Sequence, residues 1–272
     1  MKLAVGTAGD TRDAYAYTGG KPFDAQQPCV VLLHGALHDH SSWTLAARWF
    51  AHHGHSVLAP DLPGHGRSAG APLASVEALA DWLLALLDAA GVESASLVGH
   101  SMGSLIALEA AARAPARARH LVLVGTAYPM KVSAALLDAA RDDAHAAIDS
   151  VNAFSHATLA AKPSYPGPGS WLHGSNRALM RRIHDGQRET NLFVNDFNVC
   201  DRYSGGIAAA SRVACPATLV VGARDQMTFA SQSVELARAL RARTVTLPCG
   251  HALMSEAPDA VLAALRGAIV AA

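Results

Sequence analysis

The sequence predicts an α/β fold: a mostly parallel, doubly wound sheet with a helical block inserted before its last strands. Three observations carry that expectation. Short apolar runs of strand length alternate with longer segments of helical spacing along most of the 272 residues. Repeated units of this kind build a parallel sheet covered on both faces. Several of the apolar runs end directly on glycine, histidine or aspartate. The alternation breaks after Tyr128 and resumes near Val213, which marks an insertion.

Taken in order, Lys2 to Thr7 and Arg12 to Thr18 read as an antiparallel edge pair. Val30-Val31-Leu32-Leu33, ending at His34-Gly35, is the continuous apolar run of a strand buried on both faces. A helix is expected from about Ser42 to His52, closed by Gly54, with Ser41-Ser42-Trp43 capping it. Val57-Leu58-Ala59 is a second strand, leading into the turn-rich Asp61-Leu62-Pro63-Gly64-His65-Gly66. Val76, Leu79, Leu83, Leu86 and Leu87 recur at helical spacing between Ser75 and Ala90, and Gly91 stops that helix. A strand from Ala95 to Val98, a helix from Met102 to Arg113 and a buried strand from Leu121 to Val124 follow.

From about Pro129 to Arg212 the pattern offers helices and no buried strand. One helix is expected from Val132 to Val151 and another around Arg177 to Arg188, with the punctuated stretch Pro163 to Gly169 between them. Strands return at Ala217 to Val221 and Val245 to Leu247, with a helix near Gln232 to Leu240 and a last one from Pro258 to Val270. The expected organisation is a core of residues 1–128 and 213–272 carrying a helical cap of residues 129–212. That cap would lie beside the C-terminal sheet edge, where open α/β sheets bind ligands.

Composition excludes several classes. Lysine plus arginine and aspartate plus glutamate each total 22, so no basic footprint of a nucleic-acid binder is present. No apolar run approaches the roughly 20 residues of a membrane helix, and Met1 to Val5 is too short for the apolar region of a signal peptide. Cys29, Cys200, Cys215 and Cys249 are scattered without a CxxC pair. Buried free thiols in a reducing cytoplasm are the expectation. The expected partner is a small-molecule substrate, with no nucleic acid and no membrane.

The chemistry concentrates at strand ends. Gly99-His100-Ser101-Met102-Gly103 matches G-x-S-x-G between a strand and a helix, the setting of a nucleophile elbow. A serine hydroxyl needs a base. Of 14 histidines, His251 follows the last strand and reaches the same sheet edge as Ser101. His65 reads as a structural turn residue, and His100 points sideways from the elbow. Asp225, after the strand Leu219-Val220-Val221, can orient the imidazole, whereas Gly125-Thr126-Ala127 after the preceding strand offers no carboxylate. The backbone N–H groups of Ala36 and Met102 are the expected oxyanion donors, Gly35 permitting the turn that aims the first of them. His38-Asp39-His40 could suggest a metal, but no distant residues complete a set, and a polar loop is the expectation.

These pieces together resemble the α/β-hydrolase superfamily over essentially the whole chain. The matching segments are His34-Gly35-Ala36 with Trp43, Asp61 to Ser68, Gly99 to Gly103, Gly222 to Asp225 and Gly250-His251. The resemblance implies Ser101, Asp225 and His251 as a catalytic triad, Ala36 and Met102 as oxyanion donors, a helical cap, and no cofactor or metal. Ser101 sets the chain apart from branches with an aspartate at the elbow. Its loop Ala36-Leu37-His38-Asp39 is poorer in glycine than that of the C–C bond hydrolases. The expected reaction is cleavage of a small carboxylic ester through an acyl-enzyme, with Phe154, Trp171, Phe193 and Phe197 as candidate substrate contacts or cap core. C–C bond hydrolysis or lactone opening by the same triad is the alternative. Ligand binding without turnover on a hydrolase scaffold is the alternative of another class.

Overall fold

The structure is a computed structural model and describes residues 1–7, 10–157 and 171–270. The Pro163 to Gly169 stretch lies outside the described residues. Two antiparallel strands, β1 (Lys2–Thr7) and β2 (Asp10–Tyr17), open the chain. Six further strands are β3 (Cys29–Leu33), β4 (Ser56–Pro60), β5 (Ala95–His100), β6 (Ala118–Val124), β7 (Ala217–Gly222) and β8 (Arg243–Leu247). They form one sheet in the order β1-β2-β4-β3-β5-β6-β7-β8, parallel from β4 onward. Every residue of β3, β4 and β5 is buried, as an apolar run covered on both faces requires.

Strand β3 pairs with β4 on one side and β5 on the other, so the chain reverses its direction of travel across the sheet at this point. A reversal of this kind leaves a crevice at the strand ends, and the loops after β3 and β5 border it. Helices α1 (Thr44–Ala51), α2 (Val76–Ala89) and α3 (Met102–Arg113) connect the first parallel strands. Ser75 caps α2 by accepting from the Ala78 N–H. Helix α3 is apolar or small all round and is buried along nearly its whole length, the mark of a central rather than a surface helix. Its one buried acid, Glu109, accepts from Tyr203 Oη at 2.7 Å and from Arg113 Nε at 2.8 Å.

Between β6 and β7 the described residues hold five helices and no strand: α4 (Ala134–Asp142), α5 (Ala144–Ser155), α6 (Leu172–Gly186), α7 (Leu192–Arg202) and α8 (Gly206–Ala210). The single helix expected over Val132 to Val151 is two. Asp143 leaves the helical region at φ −147° and ψ 93°, and its carboxylate caps α5 through the Ala146 N–H. The helix expected around Arg177 begins earlier, at Leu172, and α7 is an addition to the sequence reading. Leu137, Ile148, Val151, Met180, Ile183, Phe193 and Phe197 form a core of this segment's own. Leu37 from the loop after β3 is buried in the same cluster. After β7 come α9 (Val234–Leu240), α10 (Leu253–Glu256) and α11 (Pro258–Ile269).

One local expectation is corrected. Asp39, not Ser41 to Trp43, caps the turn ahead of α1, accepting from the Ser41 N–H at 2.9 Å. An aspartate oxygen reaches the second free N–H of a helical turn, whereas Trp43 offers no such acceptor.

Helix α3 approaches the sheet closely because Gly103 lacks a side chain. A Cβ there would lie 2.5 Å from the His34 carbonyl oxygen and 2.6 Å from that of Leu33. Gly103→Ala is expected to destabilise the fold by about 1–3 kcal/mol, the usual range for overpacking a rigid site. Thermal denaturation checks this; a melting temperature equal to that of the native chain would contradict it.

Candidate active site

Ser101 sits between β5 and α3 with φ 51° and ψ −120°, a region L-residues rarely occupy. The surroundings fix it there. Its N–H donates to the Val124 carbonyl at 2.9 Å, and its carbonyl accepts from the Ser104 N–H at 2.8 Å and the Ser104 hydroxyl at 2.5 Å. Thr126 Oγ1 lies 2.8 Å from that same hydroxyl. A Cβ at Gly99 would run into the Gly103 carbonyl, so the residue two before the serine must be glycine.

His251 follows β8, and its Nδ1 lies 2.8 Å from Asp225 Oδ2. Asp225 is buried and takes three other hydrogen bonds. Its Oδ1 accepts from the N–H groups of Met227 and Thr228, both at 2.8 Å, and its Oδ2 accepts from Thr228 Oγ1 at 2.7 Å. Burial opposes its ionisation, but His251 and the Thr228 bonds outweigh burial and hold the carboxyl down at about 2. An ionised carboxylate only accepts, so the His251 proton sits on Nδ1 and Nε2 carries the free lone pair.

Glu256, on α10, holds the histidine's loop. Its Oε2 accepts from the Gly250 N–H at 2.6 Å and its Oε1 from the Ala157 N–H at 3.0 Å. His100 Nε2 donates to the His251 carbonyl at 2.9 Å. Burial and the neighbouring imidazoles of His251 and His38 push His100 well below the usual histidine range, so it stays neutral.

The loop after β3 runs beside the serine. A Cβ on Gly35 would lie 3.2 Å from Ser101 Cβ and 3.1 Å from His100 Nδ1. Among the described residues, the N–H groups of Ala36 and Met102 meet no protein acceptor. Met102 opens α3, where the first N–H groups of a helix are free by construction. Ser101, His251, Ala36 and Gly35 line one cavity of about 70 Å³, with Met180 and Phe197 from the inserted helices. A larger cleft of about 920 Å³ adjoins it, lined by Trp43, Leu45, Leu172, Leu179, Met254 and Leu262. His38, His100, Ser155 and His251 border both.

Of the four aromatic residues singled out in the insertion, Phe197 alone faces the serine's cavity. Phe193 is fully buried and stacks on Phe197 at 4.2 Å, while Phe154 and Trp171 are largely exposed. Asp39, His40 and Asp61 bring ligand-type atoms within 4.8 Å of one another. Protein donors already engage both carboxylates: Asp61 accepts from His40 and the Arg67 N–H, and Asp39 from Ser41 and Arg182.

Two histidines near the site differ in charge because their partners differ. His34 is fully buried, donates from Nδ1 to the Gly35 carbonyl at 2.8 Å and accepts the Leu62 N–H at Nε2 at 3.0 Å. Burial and the adjacent His65 lower it to about 4. His65 donates from Nδ1 to the Pro63 carbonyl at 3.0 Å and faces the Asp196 carboxylate through Nε2 at 2.9 Å. Burial works against charge on both partners, but their mutual attraction wins, raising His65 and lowering Asp196. Sequence reading passed over Asp196, Glu256 and Thr228. Asp196 alone left a signal, as a carboxylate on the same helical face as Phe193, Phe197 and Cys200.

A sequence model described as alpha/beta hydrolase fold matches residues 28–258. A pimeloyl-[acyl-carrier protein] methyl ester esterase of Chromobacterium violaceum is 30% identical over 251 residues, covering 87% of this chain and 85% of that protein. The dihydrolipoyllysine-residue acetyltransferase component of the acetoin cleaving system of Pseudomonas putida is 39% identical over 104 residues, 36% of this chain. The match spans about a quarter, 26%, of that longer protein. Among solved structures, an enol-lactonase from Burkholderia xenovorans LB400 superposes with a TM-score of 0.79 at 23% identity, over 99% of this chain and 100% of that one. No helix among the described residues is long and apolar enough to cross a membrane.

The histidine charges set a pH dependence. Between about 4, where folded His34 titrates, and roughly 6.5, where an unfolded histidine does, the unfolded chain binds more protons, so stability falls as pH drops. His65 is raised, so its contribution is complete below roughly 6.5 and is lost as pH climbs through its folded value. The melting temperature is therefore expected to peak near about pH 6.5. A melting series from pH 4 to 9 checks this, and a steady climb to pH 9 would contradict a charged His65.

Proposed function

Since the chain belongs to the α/β-hydrolase fold family, we propose that it is a serine hydrolase cleaving esters of short-chain carboxylic acids. The observation that carries this reading is the His251–Asp225 pair, 2.8 Å apart, with His251 lining the same cavity as Ser101. Ser101 Oγ attacks the ester carbonyl carbon as His251 Nε2 takes its proton. The carbonyl oxygen becomes an oxyanion held by the N–H groups of Ala36 and Met102, at the positive end of α3. Collapse breaks the carbon–oxygen bond, and His251 returns the proton to the leaving alcohol. Water, deprotonated by the same imidazole, then releases the acid and restores Ser101.

The residues of the insertion act as a cap in this reading, closing the serine's cavity with Met180 and Phe197. A volume of about 70 Å³ sets the acyl size. At roughly 10–15 Å³ per water-sized group, it takes about five to seven non-hydrogen atoms, a short acyl chain with its carbonyl oxygen. The adjoining cleft leaves room for a larger alcohol. The relative matched over most of its length carries the name of a methyl ester esterase, which favours esters over other acyl bonds.

On p-nitrophenyl butyrate, Ser101→Ala is expected to lower kcat by roughly 10⁵–10⁶ and Asp225→Asn by roughly 10⁴, through the wrong imidazole tautomer. Initial rates on the folded variants check this, and an unimpaired Ser101→Ala would sink the nucleophile. Lactones and vinylogous diketones run alongside separate ester cleavage from lactonase and C–C bond chemistry. Across acetate, butyrate and octanoate esters, kcat/KM is expected to fall beyond butyrate, and Phe197→Ala to shift the optimum toward longer chains. A native optimum at octanoate would contradict the acyl assignment of this cavity.

A further inference from the structure

The loop that would supply one oxyanion donor is held by side chains of the inserted helices at three consecutive residues. The Leu37 N–H donates to Asp196 Oδ2 on α7 at 2.9 Å. His38 Nε2 lies 2.8 Å from Asn176 Oδ1 on α6, and Asp39 Oδ2 accepts from Arg182 on α6 at 2.8 Å. Of these three contacts, the one from Asp196 bears on the backbone itself. Leu37 has φ 57°, a left-handed conformation unfavourable for a branched side chain, so the loop needs an external hold.

The peptide joining Ala36 to Leu37 is gripped at both ends. Its carbonyl accepts from His38 Nδ1 at 2.7 Å, and its N–H goes to Asp196. The preceding peptide carries the Ala36 N–H, and its carbonyl, that of Gly35, accepts from His34 Nδ1 at 2.8 Å and the His38 N–H at 3.3 Å. The two peptides share the Ala36 Cα, so the grip on the second fixes the point from which the first, with its Ala36 N–H, departs beside Ser101. Asp196 is itself fixed from three sides. His65 Nε2 lies 2.9 Å from the same Oδ2, Asn195 Nδ2 donates to Oδ1 at 3.2 Å, and the side chain is almost fully buried.

We propose that Asp196, on a helix of the insertion, is a positioning residue for the oxyanion donor Ala36, acting through the Leu37 N–H. The inference rests on the serine-hydrolase reading of Ser101 and extends it: the insertion shapes the site and also aims part of its machinery. A carboxylate suits the task because one oxygen accepts from two donors on different elements, the Leu37 N–H and the His65 ring. Alanine would leave both without a partner in a buried site.

Ser101 labelling by an alkyl fluorophosphonate tests this without assuming a natural substrate. The reagent's phosphoryl oxygen gains negative charge in the oxyanion site as Ser101 Oγ bonds phosphorus and fluoride leaves. In the full chain, Asp196→Ala is expected to slow labelling, and kcat on p-nitrophenyl butyrate, by about 10–100-fold with KM within about threefold. Asp196→Asn keeps an acceptor for the Leu37 N–H and is expected to recover most of that loss. Asn191→Ala removes the cap of the same helix, where Asn191 accepts the Val194 N–H and donates to the Ala140 carbonyl. It is expected to lower the melting temperature with labelling unchanged.

Equal labelling rates in the native chain and Asp196→Ala would overturn the proposal and leave Asp196 as a structural anchor. So would an Asn191→Ala variant that slows labelling as much as Asp196→Ala. A native chain that resists the reagent altogether would overturn the nucleophile reading, and the proposal with it. If Asp196→Ala does not fold, the Asp196→Asn variant decides. Native rates of labelling and kcat with an unchanged pH optimum would support positioning through hydrogen bonding, and a loss of folding there too would overturn it.

Discussion

Much of the site's geometry follows from the backbone of one residue. A serine at φ 51° and ψ −120° lies where a non-glycine residue costs on the order of 1–3 kcal/mol. The conformation persists because each route of relaxation is closed. The Val124 carbonyl holds the N–H, Ser104 holds the carbonyl twice, and Gly99 and Gly103 leave no slack on either side. The same bend brings Ser101 to the cavity, starts α3 at Met102 so that its N–H is free, and seats Gly103 against the carbonyls of Leu33 and His34. That last contact ties the elbow to the end of β3, from which the Gly35-Ala36 loop departs. Ser101, the helix dipole and the loop are thus set by a single turn.

Around that turn, chemically identical groups take opposite roles according to what faces them. His34 stands between a carbonyl and an N–H, which fits a neutral ring; His65 stands between a carbonyl and a carboxylate, which fits a charged one. Their rings are 5.0 Å apart, so a charge on one discourages a charge on the other. His100 spends its Nε2 proton on the His251 carbonyl and stays neutral, which keeps a second cation away from the proposed base. A buried carboxylate would ordinarily resist ionisation, yet Asp225 is pulled down because four contacts converge on its two oxygens. Partner identity, rather than burial alone, decides each state.

The sheet, the elbow and the positions of Ser101, Asp225 and His251 were legible because their signals are local. A buried strand is an unbroken apolar run, and an elbow is five residues between a strand and a helix. The inserted helices were legible only in outline. The break at Asp143 turns on one capping carboxylate, which looks like any surface acid within the alanine-rich run from Ala134 to Ala147. Glu256 and Thr228 act through bonds across sequence separations of 99 and 23 residues, to Ala157 and His251, and no spacing rule connects such positions. The donors proposed at Ala36 and Met102 were expected by place alone, because a backbone N–H leaves no mark in the residue type.

The insertion and the sheet share structure more closely than a lid resting on a finished site would. Leu37 has its side chain in the insertion's hydrophobic cluster, its N–H on Asp196, and its neighbour Ala36 on the serine's cavity. A change in how α4 to α7 pack therefore reaches the loop after β3 by two routes, through the seat of the Leu37 side chain and through the position of the carboxylate. Met180 and Phe197 belong to that same cluster and also border the cavity. In the proposed reaction, acyl selectivity and oxyanion geometry draw on one set of packed residues. Under the serine-hydrolase reading, a substitution that enlarges the pocket by removing bulk from this cluster also loosens the seat of Leu37, which couples breadth of substrate to rate of acylation.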